Sequence, residues 1–189
     1  MTCQVNEGAR SLAAVTGTTS VRRDRWRDGG LDQVPVEGSS GQLWLCGKHA
    51  VGADPDAALA RIGGDGTIVC LNQRDELDDR YPDYVAWLQA HVGDRALWFP
   101  IPDLHAPPLV DLRPLLDEIG RRLAAGGHVL VHCGAGIGRA GTVAVCLLME
   151  HGVERDEALA LVARHRPMAG PEVGAQRELV DELAVALGA

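Results

Sequence analysis

The sequence predicts an α/β domain built on a central, mostly parallel sheet. Three observations carry this expectation: short β-branched runs alternate with helical stretches, glycine or proline punctuates most changes of period, and 46% of the 189 residues are hydrophobic against 23% charged. That length and apolar content suit a single domain with its own core. We expect about four to five strands flanked by helices over 31–189, preceded by a tail over 1–30. The tail is rich in Thr, Ser, Gly and Arg without a sustained period, so it reads as disordered.

Within "GQLWLCG", residues Leu43 to Cys46 form a first buried strand. Asp54 then caps a helix opening on Pro55, with Leu59 and Ile62 facing inward and Gly63, Gly64 and Gly66 closing it. "TIVCLN" is the second strand, and "YPDYVAWLQAHVG" is a helix opened by Pro82 and closed by Gly93. "ALWFPIP" is a third strand, stopped by its own prolines. From Val110, with Pro114 in the first turn and Asp111 as a capping carboxylate, a helix places Leu112, Leu115, Leu116, Ile119 and Leu123 on one face. Gly126 and Gly127 break it, and "HVLVH" is the next strand. Three helices follow: an almost wholly apolar one from Thr142 to His151, then Glu154 to His165 and Ala175 to Leu187. There is no internal repeat.

A formal net charge of −8 argues against a nucleic-acid binder or a membrane-surface protein, since both rely on basic patches. Every apolar stretch is interrupted before it could span a bilayer. Leu12 to Val15, the one apolar run ahead of Arg22 and Arg23, is too short for a leader, and none follows them. The five cysteines, Cys3, Cys46, Cys70, Cys133 and Cys146, are odd in number and never form a C-x-x-C pair, so a reducing cytoplasm is the expected home. No metal or cofactor is called for. His128 and His132, four apart on one strand, stand about 13 Å from each other, too far to share an ion.

The chemistry concentrates in "VHCGAGIGRAG", where a strand runs into a helix. In an open α/β sheet that turn lies at the ligand-binding edge. Gly134, Gly136 and Gly138, with Ala135 and Ile137 between them, let successive amides converge on an anion at a helix N-terminus. The run lacks the Lys-Ser/Thr of a nucleotide P-loop and the G-x-G-x-x-G spacing of a dinucleotide site. It has Cys133, whose thiolate the nest favours, and Arg139, whose planar fork suits two phosphate oxygens. A nucleophile, an amide nest and a bidentate cation together describe phosphoryl transfer to sulfur. A lone cysteine after a strand is ordinarily inert core, but one framed by His132 and this glycine-arginine pattern is far more specific.

"HCGAGIGR" resembles the H-C-x-x-G-x-x-R signature of the cysteine-dependent protein tyrosine and dual-specificity phosphatases, and the resemblance runs from about Leu43 to Leu187. "LNQRDEL", "YPDYVAWLQ" and "PIPDLHAPP" look most like the compact branch of kinase-associated phosphatases and their bacterial relatives. The resemblance implies a phosphoprotein substrate, a phosphocysteine on Cys133, phosphate held by Arg139, and Asp103 of "PIPDLHAPP" as general acid. His105 is the runner-up acid, though a histidine there is more commonly a surface residue. The resemblance also gives Gln176 a part in positioning water for the second step, against its plain reading as a solvent-facing helix residue. His132 would tune Cys133 through hydrogen bonds to the loop rather than act as a base.

The departure from the pattern is Ala140, where most relatives carry a hydroxyl that assists departure of the cysteine thiolate. Thr142 lies about 200° further round the helix and is not a replacement. First-step chemistry with slowed second-step hydrolysis is therefore expected. The loop contains none of the lysines that phosphoinositide phosphatases place there, and the deep phosphotyrosine recognition segment of the large classical enzymes is not evident, which points to a shallower cleft. Rhodanese and low-molecular-weight phosphatase or arsenate reductase sites are the enzymatic rivals; the late motif, its leading His and the upstream "IPD" disfavour them. A phosphoprotein-binding module with decayed catalysis is the alternative, with Ala140 as its only support. Parts of the family also use a protective disulfide to the nucleophile, for which Cys46, Cys70 or Cys146 would be the partner, but each reads more simply as buried core.

Overall fold

A computed structural model describes residues 30–188; the disordered tail expected over 1–30 lies outside the described residues except for Gly30. Five strands form one sheet in the order β1-β2-β5-β3-β4. They are β1 (Asp32–Val34), β2 (Gln42–Gly47), β3 (Gly66–Cys70), β4 (Ala96–Trp98) and β5 (His128–Cys133). All neighbours are parallel except β1, which runs antiparallel to β2 with Asp32 opposite Leu45. This edge strand carries only three residues and no alternation, which is why the sequence pattern does not reveal it.

The interleaved helices are α1 (Lys48–Val51), α2 (Pro55–Arg61), α3 (Asp75–Asp78), α4 (Pro82–His91), α5 (Leu109–Ala124), α6 (Gly138–Glu150), α7 (Arg155–His165) and α8 (Gly174–Leu187). Asp54 caps α2 by accepting from the Ala57 amide, and Glu154 caps α7 by accepting from Asp156 and Glu157. The strand pleat sends alternate residues to opposite faces. Leu43, Leu45, Val129, Val131 and Val69 join the core under α5, α6 and α8, while Cys46, Ile68, Cys70 and Leu130 join the one under α2 and α4. The central strand β5 is covered on both faces, which is why it reads as a continuous apolar run.

Three departures from expectation stand out. Helix α5 starts at Leu109 behind Pro108, so Pro114 falls in its second turn on the exposed face, and Asp111 lies within the helix without capping it. Helix α6 begins at Gly138, four residues before Thr142, which puts Arg139 and Ala140 in its first turn rather than in the loop. Two one-turn helices, α1 and α3, follow β2 and β3 and are too short to show a period.

Candidate active site

Parallel pairing places the ends of β2, β5, β3 and β4 along one edge, so Gly47, Cys133, Cys70 and Trp98 all deliver their following loops there. Cys133 is the last residue of β5 and is 3% exposed. Gly134 to Gly138 then turn the chain into α6, and nearly every carbonyl of this loop is captured from outside. The Lys48 amide donates to Gly134 O at 3.1 Å, Arg166 Nη2 to Ala135 O at 2.7 Å and Arg166 Nε to Gly136 O at 2.6 Å. The Gly141 and Gly170 amides donate to Ile137 O at 2.8 and 3.3 Å. In a trans peptide the next N–H points opposite its carbonyl, so these outward bonds turn the amides of Ala135, Gly136, Ile137 and Gly138 toward the concavity. Such an arrangement at a helix N-terminus can hold an oxyanion.

Glycine is required where the loop turns and where it is crowded. Gly136 has φ +73°, and a Cβ there would run into the Cys46 carbonyl. Against Gly138 lie the carboxylate of Glu172 and the amide oxygen of Gln176, filling the space a side chain would need.

Arg139 is 3% exposed and its guanidinium is held by several groups. Nη1 and Nη2 meet Glu76 Oε1 and Oε2 at 2.6 and 2.8 Å, Nη1 also donates to Ile101 O at 2.8 Å, and Nη2 lies 3.0 Å from Asp103 Oδ1. Glu76 further accepts from Asn72 Nδ2 at 2.6 Å and from the Gln73 amide at 2.9 Å. Burial alone would raise the Glu76 carboxyl, but Arg139 above all, then the Gln73 amide and Asn72, bring it down to about 2. Lys48 Nζ donates to the Glu76 carbonyl at 2.8 Å, so the loops after β2 and β3 are tied together beside Cys133.

Asp103 stands on the loop after β4 with a side chain 72% exposed, its carboxylate turned to Arg139. The next residue, Leu104, takes φ +58°, and His105 Nδ1 meets the Asp103 carbonyl at 2.7 Å. His105 therefore braces the loop from its exposed side. Gln176 is 1% exposed, contrary to its solvent-facing reading; its oxygen accepts from the Glu172 amide at 2.8 Å and its Nε2 donates to His105 O at 3.3 Å. It thus links α8 to the loop bearing Asp103.

His132 departs from the expected loop contacts. Its Nε2 meets the Tyr84 hydroxyl at 2.6 Å, while Nδ1 lies against the Cys133 backbone without a hydrogen bond of normal geometry. Complete burial, only partly offset by that backbone and reinforced by Arg139, pulls its pKa down to about 3, so the ring is neutral. Ala140 is fully buried. Thr142 Oγ1 donates to Gly138 O at 2.7 Å and is committed to its own helix. Burial pushes the thiols of Cys70 and Cys146 up to about 12 and that of Cys46 higher still, in keeping with their reading as core.

The structure therefore brings Cys133, the glycine loop, Arg139, Asp103 and Gln176 to one edge. Sequence reasoning missed Glu76 and Arg166. Glu76 lay within the quoted "LNQRDEL", but nothing in its spacing marked it as the partner of a residue 63 positions away. Arg166 follows an ordinary amphipathic helix and shows no local signal at all. Among the described residues no His/Cys/Asp/Glu group is arranged to hold a metal ion, and no helix is long and apolar enough to cross a membrane.

Residues 48–182 match the family described as Swiss Army Knife protein, DSP-PTPase phosphatase domain. Human dual specificity protein phosphatase 14 is 37% identical over 84 residues, 43% of this chain and 42% of that protein, so the chain matches well under half the length of this curated relative. The crystal structure of Tk-PTP in the active form is 32% identical with a TM-score of 0.61, covering 80% of this chain and 95% of that one. Kinase associated phosphatase with its catalytic site cysteine substituted by serine superposes at a TM-score of 0.70 over 85% of this chain and 96% of its own, and at 20% identity it attests the fold alone. The chain belongs to the dual-specificity-type protein tyrosine phosphatase domain family.

Proposed function

We propose that the protein is a phosphatase of phosphoproteins, acting on phosphotyrosine and secondarily on phosphoserine or phosphothreonine through a phosphocysteine on Cys133. The observation that carries this reading is the convergence of Cys133, an amide nest with outward-bound carbonyls, and Arg139 3.0 Å from Asp103. In the first step the Cys133 thiolate attacks phosphorus while the ester P–O bond breaks, and Asp103 gives its proton to the departing oxygen. The nest amides and Arg139 hold the equatorial oxygens. In the second step water attacks phosphorus, the Asp103 carboxylate takes its proton, and the S–P bond breaks to return the thiolate and release phosphate. Gln176, set between Gly138 and the Asp103 loop, is suited to orient that water. Ala140 offers the leaving thiolate no hydroxyl, so the second step is slow and phosphoenzyme accumulates.

We place the protein in a reducing, cytoplasmic setting, as five cysteines without a C-x-x-C pair suggest. A phosphoprotein-binding module without turnover is the competing reading, favoured by Ala140. Assays of wild type and Cys133→Ser on p-nitrophenyl phosphate and on phosphopeptides separate the two. Turnover by wild type with none by the variant supports hydrolysis. No turnover by wild type, with equal phosphopeptide binding by both proteins, would establish the binding module.

A further inference from the structure

We infer that Asp32, on the edge strand β1, is a positioning residue for the anion nest and acts through Arg166; this rests on the phosphatase reading of the site. Arg166 closes the end of α7 with a side chain 7% exposed, and its guanidinium faces two ways. One edge gives Nε to Gly136 O at 2.6 Å and Nη2 to Ala135 O at 2.7 Å, and Nη1 meets Asp32 Oδ2 at 2.7 Å. The weaker contacts of Nη1, to the carbonyls of Gly30 and Leu45, are both 3.5 Å long.

A guanidinium is planar and rigid, so fixing Nη1 sets the angle at which Nε and Nη2 present themselves. Those two donors determine the orientation of two consecutive loop peptides, and hence the aim of the Gly136 and Ile137 amides. Asp32 is itself 11% exposed and is held in register by the pairing of β1 with β2. A carboxylate that touches no substrate thus helps to set where two of the nest donors point. The site borrows its geometry from the first described strand, β1.

The full chain carrying Asp32→Asn, Asp32→Glu or Arg166→Lys should be compared with wild type for p-nitrophenyl phosphate turnover, vanadate inhibition and Tm. Asp32→Asn keeps the shape and removes the charge, and should weaken vanadate inhibition and lower kcat/KM each by about tenfold, the scale of one charge-assisted hydrogen bond. Asp32→Glu should recover most of the loss. Arg166→Lys retains the charge pair but cannot hold two carbonyls and a carboxylate together, so it should weaken vanadate in the same way. Asp181→Asn, which breaks the surface pair with Arg155 far from the loop, should leave the vanadate constant unchanged. A lowered Tm with wild-type vanadate inhibition in Asp32→Asn, or in Arg166→Lys should the first variant not fold, would reduce Asp32 to a fold-stabilising ion pair and overturn the inference. A wild-type protein that neither turns over nor binds vanadate overturns the phosphatase reading itself.

Discussion

Glu76→Gln removes one negative charge from beneath Arg139 while keeping the shape of the side chain. In the native protein Arg139 is 3% and Glu76 21% exposed, and the pair is bidentate at 2.6 and 2.8 Å. The Glu76 carboxyl sits at about 2 against an ordinary 4.5, because the hydrogen bonds from Arg139, Gln73 and Asn72 outweigh the opposing effect of burial. A carboxylate depressed in this way stabilises the folded state fully above its unfolded pKa, and that contribution fades as pH falls from about 4.5 toward 2. The shift corresponds to about 3 kcal/mol at neutral pH. The Gln variant should therefore be less stable than wild type by about that amount in urea titrations at pH 7. Its stability should also lack the wild-type decline between about pH 4.5 and 2 that belongs to this group. With its fork loosened, Arg139 should support aryl phosphate hydrolysis about 10²-fold less well, the usual cost of losing a preorganised anion donor. Equal stability at pH 7 and parallel acid profiles would refute the reasoning.

Other outcomes follow from neighbouring residues. His132 is neutral in the folded protein down to about pH 3, whereas an unfolded histidine takes up its proton near 6.5, so stability is lost on acidification between those values at up to about 1.4 kcal/mol per pH unit. His132→Gln should flatten that slope in chemical denaturation series, and an unchanged slope would count against it. Gly136→Ala forces a side chain at φ +73° onto the Cys46 carbonyl, so vanadate affinity and turnover should fall by about 10²-fold or more, with a lower Tm. Ala140→Ser should shrink the rapid-quench burst and raise steady turnover by about tenfold. Fast steady turnover with no burst in wild type would show that the missing hydroxyl does not slow the second step.

The sheet was largely legible because β2, β3 and β5 are continuous apolar runs bounded by glycine or proline, and α5 and α8 show a clear helical period. Strand β1 was not, since three residues cannot display alternation; it forms because Val34 is buried against β2 and Asp32 meets Arg166. The start of α6 was read four residues late. Glycines that discourage helix as isolated residues are drawn into its first turn by the loop that precedes it. For Gln176 the sequence left open a part in positioning water and a solvent-facing helix position; the packing of the Asp103 loop against α8 buries it.

What the sequence alone determined is the local pattern: a thiol, three glycines and an arginine within seven residues, Cys133 to Arg139, whose spacing suits a tight turn around a small anion. Tertiary structure decided which distant groups hold that turn in shape. Lys48, Glu76, Asp103, Arg166 and Asp32 come from five separate segments, and no periodicity links them. They meet because parallel strands deliver their loops to one edge, where buried charges and carbonyls must find partners across the chain.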